Sequence, residues 1–128
     1  MITFVLTMKR KPGLTKEQFR NHYETSHVAL AKKTVGHLFE DYHRCYVDTA
    51  TFANPDSYEV EQSTEGPYDV ITTIAFKDDA AVAEFFRLLN LPDIKAAFQA
   101  DEEKFTDRTK MCMNICQAVK TWVAADLR

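Results

Sequence analysis

The sequence predicts an α+β fold in one domain, and three observations carry that prediction. Short stretches of alternating polarity, the mark of half-buried strands, occur near both ends and in the middle of the chain. Stretches with apolar residues three and four apart, the mark of amphipathic helices, lie between them. At 128 residues the chain can build one real core but is too short for two ordinary domains, so residues 1–128 are read as a single unit.

The elements follow in order. Ile2 to Lys9 sets Ile2, Phe4, Leu6 and Met8 against Thr3, Val5, Thr7 and Lys9, a period of two rich in β-branched residues and hence a strand. Lys11-Pro12-Gly13 breaks it. Thr15 with Gln18 three residues on is a capping-box pattern, and a helix carrying Phe19, Tyr23, Ser26 or His27, and Leu30 runs from there to near Gly36. His37 to Asp48 alternates as a second strand, with Tyr42, Arg44 and Tyr46 on one face and His43 and Cys45 on the other. Residues 49–66 hold Asn54-Pro55-Asp56-Ser57 and read as a long loop, a length that is usually functional or mobile. Tyr68 to Phe76 is a third strand. Asp78 or Asp79 caps a helix with Ala81, Val82, Phe85, Phe86, Leu88 and Leu89, and Leu91-Pro92-Asp93 restarts the chain into another, Ile94 to about Thr106. Met111 to Val123 is the last strand.

The resulting order is β, α, β, β, α in two pieces, β. That is the split βαβ arrangement of a ferredoxin-like fold: a four-stranded antiparallel sheet with helices on one face. The third strand is apolar on both sides, with Val70, Ile74 and Phe76 opposite Ile71 and Ala75. Helices sufficient for only one side leave the other needing cover, which predicts a homodimer through the sheet faces.

Composition narrows the function. Hydrophobic residues are 45% and charged residues 27%, and the formal net charge is −3 without any like-charge block. Nucleic acid and anionic membranes, which need a basic patch, are not expected partners. The apolar runs are too short to span a bilayer, and MITFVLTMKRK has its charges on the wrong side of the apolar run for a signal peptide. Three cysteines, Cys45, Cys112 and Cys116, suit reduced thiols in a cytoplasm better than a disulfide framework.

His27 sits on the apolar stripe of the first helix. It is either a core histidine bonded to a nearby carbonyl or carboxylate, or a general acid/base, since imidazole titrates near neutrality. Ile94, Phe98, Asp101 and Phe105 place a carboxylate on the buried stripe of the last helix, where it needs a partner. With both helices on one sheet face, Asp101 and His27 can meet, as an orienting pair or as an internal strut. Glu102 and Glu103 read as solvated neighbours. A tyrosine on the helix-covered face of the second strand, Tyr42 or Tyr46, is either a donor to a substrate carbonyl or enolate or a packed aromatic with a wet hydroxyl; Tyr23, Tyr46, Phe98 and Phe105 are candidates to line a substrate pocket. His37 and His43 belong at strand ends or outer faces. No metal site is predicted: His22 and His27, five residues apart, should not share a helix face, and Cys112 and Cys116 read as core residues without a second pair. No phosphate loop, dinucleotide fingerprint or nucleophile elbow is present, so no tightly held cofactor is expected.

KRKPGLTKEQFRNHYETSHVALAKK, Lys9 to Lys33, resembles the opening motif of the EthD family, a branch of the dimeric α+β barrel superfamily. DEEKFTD, Asp101 to Asp107, resembles that family's second motif, and YDVITTIAF fits the strand between them. The resemblance implies a dimer through the sheets and a pocket between each sheet and its helices. It also implies lyase or isomerase chemistry of the kind relatives perform: lactone isomerisation, and decarboxylation, dehydration or cyclisation of polyketides. Other relatives are cofactor-free monooxygenases or haem-degrading enzymes. The helix histidine of the isomerase relatives matches His27 and their second-strand tyrosine matches Tyr42. Residues 49–67 contain no histidine to match one that some relatives carry there. The function expected is proton-transfer chemistry on a small cyclic or aromatic, carbonyl-bearing metabolite, with His27 as proton shuttle, Asp101 orienting it and Tyr42 holding the oxyanion. The alternatives are a non-catalytic binder or accessory of an oxygenase system, and a cofactor-free monooxygenase or haem-dependent protein.

Overall fold

The computed structural model describes residues 2–53, 56–57, 60–119 and 121. Four strands form one antiparallel sheet: β1 (Ile2–Met8), β2 (Phe39–Tyr46), β5 (Val70–Phe76) and β6 (Cys112–Gln117), in the order β2-β5-β1-β6. This is the split βαβ arrangement expected from the element order. The segment read as a long loop contains a short hairpin, β3 (Ala50–Ala53) paired with β4 (Val60–Ser63). Two strands of only four residues each are too short for a period of two to show in the sequence. At the hairpin's base Gly66 lets the chains close up, since a Cβ there would meet the Ala50 Cβ at 2.6 Å. The last strand ends at Gln117, earlier than Val123; most of the remaining chain lies outside the described residues.

Local chemistry explains the helix starts. Gly13 turns the chain at φ 92°, a conformation favouring glycine. The Thr15 hydroxyl then accepts from the Gln18 N–H and the Gln18 side chain accepts from the Thr15 N–H, a complete capping box. The Asp78 carboxylate accepts from the Ala81 N–H to open α3 (Asp79–Leu89), and Pro92, whose missing N–H costs nothing there, opens α4 (Pro92–Phe105).

The first helical rod is not uniform. α1 (Lys16–His22) passes through a π-helical turn, Tyr23–His27, into α2 (Val28–Thr34), and the Val28 N–H reaches back to the Tyr23 carbonyl. Its buried residues, Phe19, Tyr23, His27 and Ala31, recur every four positions. In a straight α-helix such a set drifts about 40° per step, so its ends would leave one face. The wider π turn absorbs part of that drift and holds all four toward the sheet.

The core divides into two aromatic clusters on the helix-covered face. Phe4, Ile74, Phe76 and Phe85 pack at one end; Met8, Phe19, Tyr23, Val70 and Phe105 pack at the other. The uncovered face carries Thr3, Val5, Thr7, Ile71, Thr73 and Ala75 along its centre, all half-buried. Cys112 and Cys116 share that face and are exposed and half-buried, not core residues, because a six-residue edge strand has cover on neither side. For the same reason Met113 and Ile115, on the helix-side face, are exposed. No described helix is long and apolar enough to cross a membrane.

Candidate functional site

A cavity of about 100 Å³ lies between the helices and the sheet, with a lining that is mostly apolar. Its polar groups are few: His27 and Tyr23 from the rod, Tyr42 and Thr72 from the sheet, and Glu102 from α4. Phe98 lines it as the sequence suggests. Phe105 and Tyr46 do not. Phe105 is fully buried beneath the histidines, stacked 4.6 Å from the His22 ring. Tyr46, four residues beyond Tyr42 on β2, donates its hydroxyl to Glu24 at 2.5 Å and faces a separate surface groove.

Asp101 organises the site. Its Oδ2 lies 2.8 Å from His27 Nδ1, and its Oδ1 accepts from the Ser26 hydroxyl at 2.7 Å and from His22 Nε2 at 2.9 Å. His22 therefore does reach the same carboxylate as His27, against the expectation from a five-residue spacing. The π turn is the reason: it winds more residues into one turn and brings positions five apart onto one side. Burial alone would raise the Asp101 pKa, but the hydrogen bonds from Ser26, His27 and His22 outweigh it and hold the carboxyl below its ordinary value.

That ionised carboxylate fixes the His27 tautomer. Nδ1 carries the proton and donates it to Asp101, so Nε2 keeps its lone pair. Nε2 has no hydrogen-bond partner among the described residues and is not a sealed, unsatisfied atom, and the residue lines the cavity. Burial lowers the His27 pKa below 6.5; Asp101 opposes the shift and His22 adds to it. The product is an imidazole whose protonation burial disfavours, on a residue that lines an apolar chamber.

Next to it runs a chain of hydroxyls. Tyr23 and Thr72 are 2.8 Å apart, and Tyr42 donates to Tyr23 across a long 3.5 Å. Burial raises the pKa of both tyrosines above the ordinary phenol value, so each stays a protonated donor. The Tyr42–Tyr23 contact is weak enough for a ligand oxygen to replace it. Arg44 fixes the Tyr42 ring: its guanidinium lies 4.7 Å from the ring centroid and is itself gripped by Glu24 at 2.6 and 3.0 Å.

Sequence reasoning placed His27, Asp101, Tyr23, Tyr42 and Phe98 where they meet. It missed three polar residues. His22 was hidden by the π turn. Thr72 reads as an ordinary strand residue. Glu102 is half-buried at the cavity and burial raises its pKa, whereas Glu103 is exposed as expected. His37 and His43 lie exposed on the surface. Among the described residues no group of three or more His, Cys, Asp and Glu side chains is placed to hold a metal ion.

Comparison with known proteins agrees with this architecture. The family model described as EthD domain matches residues 11–109. The fold is similar to that of an EthD family protein from Bacillus halodurans, with TM-score 0.58 and 17% identity over 93% of this chain and 100% of that one. It is similar to At3g17210 from Arabidopsis thaliana, with TM-score 0.60 and 15% identity over 96% and 100%. A Bacteroides fragilis protein described as dimeric, of unknown function and ferredoxin-like fold, matches with TM-score 0.53 and 11% identity over 91% and 95%. No curated protein sequence matches.

Proposed function

The chain belongs to the EthD family, and from that premise we propose a cofactor-independent enzyme that moves a proton on a small cyclic or aromatic carbonyl compound. The observation that carries the reading is His27. It is buried, is held by Asp101 through Nδ1, lines an apolar cavity, and has no partner for Nε2 among the described residues. A structural strut needs the contact with Asp101 and not the cavity.

The chemistry follows from the placement. The cavity's apolar walls take a ring of the substrate. His27 Nε2 removes a proton from the carbon next to the carbonyl. The C–H electron pair becomes a C=C bond and the carbonyl π pair moves to oxygen. Tyr42 donates to that oxyanion, backed by Tyr23 and Thr72, in surroundings where such a bond is worth more than in water. Asp101 stabilises the imidazolium that forms. Return of the proton to another carbon gives isomerisation. Return to a leaving hydroxyl gives dehydration. Where carbon dioxide leaves first, protonation of the resulting enolate completes a decarboxylation.

A homodimer through the uncovered sheet face completes the proposal. The half-buried apolar residues Val5, Ile71 and Ala75 along that face support it, as does the dimeric state of the Bacteroides fragilis relative.

The test is deuterium exchange at the α-carbon of ring-sized ketones (acetophenone, 1-indanone, 1-tetralone) in heavy water, followed by NMR. Wild type is expected to accelerate exchange, with an acid limb below pH 6.5 where His27 protonates. Ketones that bind without any accelerated exchange would overturn the catalytic reading and leave a binding protein.

A further inference from the structure

Glu102 is the one cavity residue that the mechanism leaves unused. Its side chain is 17% exposed, against 66% for Glu103 beside it. Its nearest cation, Arg108 Nε, lies 3.6 Å from Oε1, beyond hydrogen-bond reach, and Arg108 also leans toward Glu103 at 3.5 Å. No side-chain hydrogen bond to Glu102 exists among the described residues, whereas adjacent Asp101 accepts three. Neither carboxyl oxygen of Glu102 is sealed from solvent, so both keep acceptor capacity for a ligand.

Its position is also informative. The cavity extends across all four strands of the main sheet, from Tyr42 on β2 to Met113 on β6. Those edges are three strand spacings apart, about 14 Å. Tyr42 stands at the β2 end, and Glu102, tied loosely to the turn before β6 by Arg108, stands toward the other, with His27 on the rod between β1 and β2. The chamber's walls are mostly apolar, with a donor, Tyr42, on the β2 side and a carboxyl, Glu102, contributed by α4.

We propose that Glu102 is a second anchor of this site, accepting a hydrogen bond from a hydroxyl carried by the substrate at the end opposite its carbonyl. The inference rests on the reading of His27 and Tyr42 above and narrows the substrate class to bipolar rings, a carbonyl on one side and a phenolic hydroxyl on the other. Burial, which raises the Glu102 pKa against the opposing pull of Arg108, is offset when a ligand hydroxyl supplies the missing hydrogen bond.

The experiment compares the affinities of 4-hydroxyacetophenone and 4-methoxyacetophenone, with acetophenone as reference, for wild type, Glu102→Met, Glu102→Gln and Tyr42→Phe. Wild type is expected to prefer the hydroxyl compound over the methoxy compound by about tenfold, as for a hydrogen bond to a charged group. In Glu102→Met that ratio falls to about one. Glu102→Gln, which keeps the shape and a neutral acceptor, lowers it to an intermediate value and decides the matter if the methionine variant does not fold. A wild-type ratio near one, or a tenfold ratio unchanged in both variants, overturns the assignment. If acetophenone still binds and weakens in Tyr42→Phe, only Glu102 has failed. If no ketone binds, the reading of the whole site fails and takes this assignment with it.

Discussion

Asp69 and Asp101 are both buried carboxylates with three polar contacts, yet they sit in different kinds of cluster. Asp69, just before β5, accepts from the Arg10 N–H at 2.8 Å and the Arg10 guanidinium at 2.6 Å, with Lys9 at 3.4 Å. Lys9 and Arg10 also pair with Glu65, and Lys16 bonds the carbonyls of Val47, Asp48 and Thr64. This cluster ties the base of the β3–β4 hairpin to the sheet. In this cluster the hydrogen bond from Arg10 to Glu65 pushes the Arg10 pKa up and keeps that guanidinium charged. Asp101 instead gathers two histidines and a serine, and one of those histidines, His27, lines a cavity. A buried acid alone therefore does not mark a site. A buried acid whose partner can titrate, and whose partner faces a chamber, does.

The contrast can be broken in four ways, of decreasing size. The largest effect is on proton transfer. His27→Ala should lower α-exchange on the ketone panel by about 10³-fold, as removal of a general base does, and Asp69→Ala should not change the exchange rate of the folded protein. Persistent exchange in His27→Ala would remove the functional difference between the clusters. Second is stability. Asp69→Ala and Asp101→Ala should each cost about 1–3 kcal/mol in urea unfolding, because each removes a buried acceptor from part-buried donors. A much smaller cost for Asp69 would show its ion pairs to be dispensable.

The third separates holding the oxyanion from taking the proton. Tyr42→Phe should slow exchange by about 10²-fold, with an unchanged acid limb in its pH profile. A shifted limb would mean that Tyr42 takes part in the ionisation. The fourth and smallest is the pH dependence of folding. The folded-state pKa of His27 is depressed, so the stability it contributes is full above 6.5 and is lost as pH falls through the folded value. The depressed pKa of Asp101 acts the same way lower down, below 3.8. Stability should therefore decline as pH drops below 6.5 in wild type and less so in His27→Gln.

The same contrast explains how much was legible in the sequence. The strand of alternating residues at 2–8, the Thr15 capping box and the Asp78 cap are local features, and local rules read them. The meeting of His27 and Asp101 was legible because each broke an apolar stripe on a helix assigned to the same sheet face. Asp69 was not, since it fell within a segment read as strand and its partners lie 59 and 60 positions back in the chain. His22 required the π turn, whose i to i+5 bond leaves only a trace in sequence: buried residues at an even spacing of four. Glu102 required knowing that a chamber opens beside α4, which is a property of the assembled fold. The hairpin at 50–63 was lost because strands of four residues are too short to show an alternating pattern.

The most direct measurement is the nitrogen NMR spectrum of His27 across a pH titration, with and without acetophenone. The expected result is an imidazole protonated on Nδ1, with Nε2 free, a pKa below 6.5, and an Nε2 shift when the ketone is added. An Nε2–H tautomer, a pKa above 6.5, or an Nε2 resonance unmoved by ketone at saturating concentration would contradict the assignment of His27 as the base that faces the substrate.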